Sequence, residues 1–131
     1  MYCRTRVSVE LPASGWVTAG DAVAVLGAPF HVLTAWNPGD GRPGMDANRQ
    51  RNSELADRIV TLGGTLYPAL GASPDDDHFE ESYAVIGLER SVALKVGREF
   101  AQEAIFEVTP STQRVLACDG TWEESRLHTP E

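Results

Sequence analysis

Apolar and polar residues alternate at the start of the chain: Thr5, Val7, Val9 and Leu11 take one side, Arg6, Ser8 and Glu10 the other. That period of two predicts a strand with one wet face. Thr18, then Ala19 to Leu26, then Gly27 read as a short helix with a threonine N-cap and a glycine stop. Its valines would also suit a strand. Phe30, Val32, Thr34 and Trp36 share one side of the next segment, and His31, Leu33 and Ala35 share the other. Both sides are mostly apolar, so His31 to Trp36 is expected as a central strand, with His31 packed or at a strand end. The turn from Asn37 to Gly44, rich in Pro and Gly, ends it.

The period then changes to that of a helix, predicted from about Met45 to Leu62. Asn48, Asn52, Leu55, Ile59 and Leu62 recur at steps of four, three, four and three, which places them on one face. Asn48 and Asn52 are therefore expected inside, with Arg49, Gln50, Glu54 and Asp57 in water. Asp46 suits the helix start, Glu54 and Arg58 make an i,i+4 pair, and Gly63-Gly64 caps the end. A strand from Thr65 to Leu70 follows, and Pro68 assigns it to an edge or bulge. Beyond an acidic loop, Glu80 to Leu88 reads as a strand and Glu89 to Gln102 as the second principal helix. Val92, Val96 and Phe100 form its inward stripe, and Gly97 allows close approach to a sheet. Ala104–Val108 and Arg114–Cys118 read as a closing hairpin.

These elements predict an α+β fold, a mainly antiparallel sheet with two principal helices packed on one face. Leu55, Ile59, Val96 and Phe100 are expected to share one core with Val32, Val85 and Phe106. Residues 1–118 form the expected domain, and 119–131 a polar tail expected to fray.

The charge narrows the partners. Nineteen acidic residues against eleven basic ones give a net charge of −8, with Lys95 the only lysine. Nucleic acid is a poor partner for such a chain, although Arg42, Arg49 and Arg51 could hold one small anion. No apolar run reaches the length of a membrane span, and Met1 to Arg6 lacks a signal-peptide core, so a cytoplasmic setting is expected. Cys3 and Cys118 read as buried or idle thiols. The residues from Asp75 to Ser82 bring carboxylates and a histidine together, but the spacing matches no calcium loop or helical histidine pair. No metal and no cofactor are called for.

The candidate chemistry gathers around the turn and the long helix. Trp36 and Asn37 stand at a strand end, where a ligand could stack and bond, or where Trp fills the core and Asn caps its own turn. Asn48, Arg51 and Asn52 could orient an anion at the helix start, or cap neighbouring strand ends. Glu81 and Ser82 open a strand and, being adjacent, face opposite sides. Gln102 closes the second helix and offers a further amide. No serine elbow, phosphate loop or dinucleotide fingerprint is present.

Taken in order, Thr34-Ala-Trp-Asn-Pro38, Asn48-Arg-Gln-Arg-Asn52, Glu80-Glu-Ser82 and Phe100-Ala-Gln-Glu-Ala-Ile-Phe106 resemble a small bacterial family catalogued as domain of unknown function family 3293. The resemblance spans about Tyr2 to Leu116. That family usually has a polar cap where Gly44 stands and a glycine near Ala101. The resemblance implies no activity. Three readings stay open. The first is a domain binding a small polar or anionic, nucleotide-like ligand through Trp36, Asn37, Asn48, Arg51, Asn52, Ser82 and Gln102. The second is a hydrolase or transferase with Glu81 as general base. The third is a protein-interaction module in which these polar groups only organise the fold.

Overall fold

The computed structural model describes residues 5–37, 43–73 and 78–128. The elements are β1 (Arg6–Leu11), β2 (Gly15–Thr18), α1 (Ala19–Leu26), β3 (Phe30–Leu33), α2 (Met45–Thr61), β4 (Thr65–Ala72), β5 (Phe79–Ile86), α3 (Arg90–Glu99), β6 (Ala104–Val108), β7 (Thr112–Ala117) and β8 (Glu123–Leu127). The eight strands form one antiparallel sheet in the order β2-β1-β4-β5-β3-β6-β7-β8. The sheet is curled. Side chains of Gln113 on β7 and Arg126 on β8 both reach the Thr5 carbonyl beside β1, at 2.8 and 3.2 Å. No helix among the described residues is long and apolar enough to cross a membrane.

The core divides by strand parity. Val7, Val9, Val32, Ala69, Ala84 and Val108 cluster with Ala19, Ala22 and Val23 of α1. Leu33, Val85, Ile105 and Leu116 cluster with Leu55 and Ile59 of α2 and Ala93 and Val96 of α3, with Phe100 packed alongside. The expected single core is therefore two. Val32 and Phe106 belong to the first cluster and the rest of that set to the second, because neighbouring residues of a strand point to opposite faces.

Local chemistry explains most boundaries. The Thr18 hydroxyl accepts from the Asp21 amide at 3.2 Å, and Gly27 stops α1 at φ +71°. Helix α2 buries Asn48 and Asn52 and leaves Arg49, Gln50, Glu54 and Asp57 exposed. Arg58 bonds not to Glu54 but to Glu99 at the end of α3, through two contacts of 3.0 and 3.1 Å, since the flat guanidinium matches a carboxylate in that paired geometry. On α3, a Cβ added to Gly97 would sit 2.6 Å from Cys118 Sγ and 2.9 Å from Ile105 Cγ2, so only glycine lets the helix approach β6 and β7 this closely. Burial in this contact raises the Cys118 thiol to about 11, which leaves it protonated and inert at neutral pH.

Several expectations are corrected. The strand carrying Pro68 is interior, between β1 and β5. Its pairing with β1 begins only at Ala69, so the missing N–H falls past the end of that ladder. Gly15–Thr18, not assigned from the sequence, is a strand hairpinned to β1 ahead of the helix. Past Asp119, where a tail was expected to fray, Glu123–Leu127 pair with β7 as β8. Cys3, the turn from Pro38 to Arg42 and the acidic run Asp75–Asp77 lie outside the described residues.

An ionic cluster centred on the buried Glu107 and His31 joins β3, β6, β7 and α3. Glu107 and His31 stand opposite each other on neighbouring strands, with Nε2 2.9 Å from Oε2. Arg90 bonds both oxygens of Glu107, and Arg114 adds a contact of 3.1 Å. Two guanidiniums and the imidazole outweigh burial and hold the Glu107 carboxyl at about 2. Desolvation dominates at His31 and lowers it, so the ring stays neutral further into acid than in the unfolded chain. Both shifts have one sign, because the unfolded state takes up protons first as pH falls. The stability from His31 is lost as pH drops below about 6.5, and that from Glu107 as it drops from about 4.5 toward 2. We expect Glu107→Gln to lower stability at neutral pH by about 1–3 kcal/mol, because His31, Arg90 and Arg114 lose the buried carboxylate on which they converge. It should also flatten the acid limb below about pH 4.5. Melting temperatures across a pH series check both.

Candidate functional site

The backbone from Thr34 to Asn37 leaves the sheet after β3, and side chains take over its hydrogen bonds. Asn52 Oδ1 accepts from the Ala35 amide at 2.7 Å, while its Nδ2 donates to the Glu81 carbonyl at 2.8 Å. Arg51 Nε donates to the Ala35 carbonyl at 3.2 Å, and its Nη2 donates to the Phe100 carbonyl at 3.0 Å. Thr34 Oγ1 donates to the Glu81 carbonyl at 2.7 Å and accepts from the Trp36 amide at 3.1 Å. Asn48 pairs with Asn37 twice, Oδ1 accepting from the Asn37 amide at 2.8 Å and Nδ2 donating to the Asn37 Oδ1 at 2.9 Å. Gln102 Nε2 donates to the Trp36 carbonyl at 3.2 Å. Polar groups on an inward stripe require such partners, and here the backbone supplies them.

This lattice forms one wall of a cavity of about 440 Å³. Thr34 and Asn37 line it after β3, Glu80 and Ser82 from β5, Phe106 and Ala104 from β6, and Gln102 from the α3–β6 connection. His78 and Ser73 close the side beside the β4–β5 loop. Strand β5 pairs with β3 only over Tyr83–Val85. Ser82 and Glu80 therefore lie where β5 has lost its β3 neighbour, and the hollow occupies that gap. His78, Glu80 and Ser82 follow one another at steps of two, and His78 Nε2 lies 3.4 Å from Glu80 Oε2.

Of the residues singled out from sequence, Asn37, Ser82 and Gln102 line the cavity. Asn48, Arg51 and Asn52 stand behind its wall, bonded to backbone or to Asn37. Trp36 is buried. Glu81 turns to the opposite face from Ser82, where its carboxylate receives Arg49 Nη2 at 2.9 Å. Sequence reasoning passed over His78 and Glu80 as cavity groups. Their spacing of two ahead of Ser82 was the available signal, masked by the acidic run before them. No group of three metal-ligating side chains occurs among the described residues.

A model of the family described as "Protein of unknown function (DUF3293)" matches residues 33–105, more than half of the chain. The chain belongs to this family. No curated protein and no solved structure matches it. The matched segment runs from the end of β3 into β6 and so contains the whole amide lattice and most of the cavity lining. The glycine that the resemblance implies near position 101 would have a physical reason here. Ala101 follows the α3 cap with φ +59°, and the Gln102 amide donates back to the Gly97 carbonyl at 2.9 Å. That is the left-handed helix ending that glycine favours.

Two expectations follow. Ala101→Gly should stabilise this protein by about 1 kcal/mol, because a Cβ is penalised in the left-handed region. Asn52→Leu should destabilise it by about 2 kcal/mol or more, since the buried Ala35 N–H and Glu81 C=O each lose a partner. Chemical denaturation of both variants, read as midpoint shifts at constant m-value, tests them.

Proposed function

We propose that this family member binds a small polar molecule in the cavity bounded by Thr34, Asn37, His78, Glu80, Ser82 and Gln102. One observation carries the reading. Beta strands that bury Val32 and Ala84 on one face switch, on that same face, to Thr34, Ser82 and Glu80 where the 440 Å³ cavity opens. Polar side chains that converge on a hollow suit a ligand better than a packed core. The lattice of Asn48, Arg51 and Asn52 serves this site as scaffold, holding Asn37 and the strand ends in position. The reading takes α2 and α3 as packed on the opposite face of the sheet, which their shared cluster with Leu33 and Val85 supports.

The charges favour a neutral or cationic ligand over an anionic one. The described lining carries Glu80 and Glu103 with His78 and no lysine or arginine, while Arg51 donates to two backbone carbonyls. A second reading, general acid–base catalysis, draws support from His78 and Glu80 at the wall. Glu81, paired with Arg49 on the other face, is the weaker base for it.

Ligand-observed NMR with a panel of polyols, amines, carboxylates and nucleotides tests the proposal. We expect hits among the polyols and amines, weakened about tenfold or more by Ser82→Val or Glu80→Gln, in line with losing one good hydrogen bond. Binding unchanged in both variants would overturn it, and so would a panel without a hit.

A further inference from the structure

At the start of α3, Arg90 stands between two carboxylates. Its Nε and Nη2 bond Glu107, and its Nη1 lies 4.0 Å from Glu123 Oε1 on β8. We propose that His31 is an acid switch: taking up a proton, it drives Arg90 from Glu107 to Glu123 and loosens the first turn of α3. This inference is independent of the polar-ligand cavity.

The surroundings of His31 fix its tautomer. An ionised Glu107 can only accept, so the Nε2 that lies 2.9 Å from it carries the hydrogen. Nδ1 is then a bare lone pair, buried and without a partner among the described residues. A further proton would go to Nδ1, where the closed structure offers it neither water nor an acceptor. The closed form therefore resists that proton, and a form that admits water takes it up more readily.

Charge and support decide which group leaves. Around the ring stand Glu107 from β6, Arg90 from α3 and, through Glu107, Arg114 from β7, while β5 places the apolar Val85 opposite it. One carboxylate already serves two guanidiniums, and an imidazolium would be a third cation on the same acceptor. Arg114 is anchored in a strand paired on both sides. Arg90 opens a helix whose first turn has no side-chain cap among the described residues, and its own side chain is nearly half exposed. The far end of α3 is held by Arg58 on Glu99 and by Arg51 on the Phe100 carbonyl. Arg90 is thus the member that can move, and the exposed Glu123 is the acceptor that receives it.

NMR of the intact chain across a pH series tests this. At neutral pH, long-range imidazole spectra should show His31 with hydrogen on Nε2 and none on Nδ1. Below about pH 6.5, the Arg90 Nε–H resonance should shift together with the His31 ring. Hydrogen-exchange protection of the Ala93 amide, which bonds the Glu89 carbonyl at 2.9 Å, should fall by up to about tenfold per pH unit, with the amides between β1 and β4 unchanged. His31→Phe should remove this response, and Glu123→Gln should weaken it several-fold. If His31→Phe does not fold, Glu123→Gln, an exposed position on an edge strand, decides. Hydrogen on Nδ1 at neutral pH, or an Arg90 signal that stays still while His31 titrates, would overturn the proposal. So would an equal loss of protection between β1 and β4, or an acid response unchanged in the folded variants.

Discussion

Four backbone residues, Thr34 to Asn37, exchange strand hydrogen bonds for side-chain ones, and the centre of the molecule depends on that exchange. Buried N–H and C=O groups must be paired. When β3 stops at Leu33, a neighbouring strand no longer supplies the partners, so Asn52, Arg51, Asn48, Thr34 and Gln102 do. The same set of side chains ties α2 to the Glu81 backbone through Asn52 and to the Phe100 carbonyl at the end of α3 through Arg51. They pair the amides of Ala35, Trp36 and Asn37 and the carbonyls of Ala35 and Trp36 as the chain turns out of the sheet, and the space left beside β5 is the polar cavity.

Charge is sorted over the molecule in a way that net charge conceals. The polar cavity carries Glu80 and Glu103, and a neighbouring cavity carries Arg6 and Arg126. Ala72 borders both. Gathering charges of one sign costs repulsion at low dielectric, and Asp21, which lines the same cavity as the arginines, offsets part of it there. The cluster of His31, Glu107, Arg90 and Arg114 is of another kind. Its members converge on the buried Glu107 carboxylate, so it contributes to cohesion and acid sensitivity.

Much of the fold was legible in residue order. The alternation around Val7 and Val9, the Thr18 cap and the Gly27 stop mark β1 and α1 because their causes are local. Helix periodicity marked Asn48 and Asn52 as inward, since 3.6 residues per turn leaves no other face for them. Less was legible in short or weakly patterned segments. Gly15–Thr18 and Glu123–Leu127 are strands because β1 and β7 offer them an edge, and no local periodicity announces that. Pro68 misled for the same reason, because where a ladder ends is a property of the partner strand.

By itself, the sequence determined which residues face inward, where the two long helices run, and that amides would be buried among aliphatics. Tertiary structure alone decided what those amides bond to, because their partners, Ala35, Asn37 and Glu81, lie 11 to 29 residues away. It also decided that Ser82 faces the hollow while Glu81 turns to Arg49, that Val32 and Val85 belong to different cores, and that Gln113 and Arg126 reach Thr5. Periodicity reports the direction of a side chain relative to its own element. Identity of the neighbour depends on strand order and register, which arise only when distant segments pair.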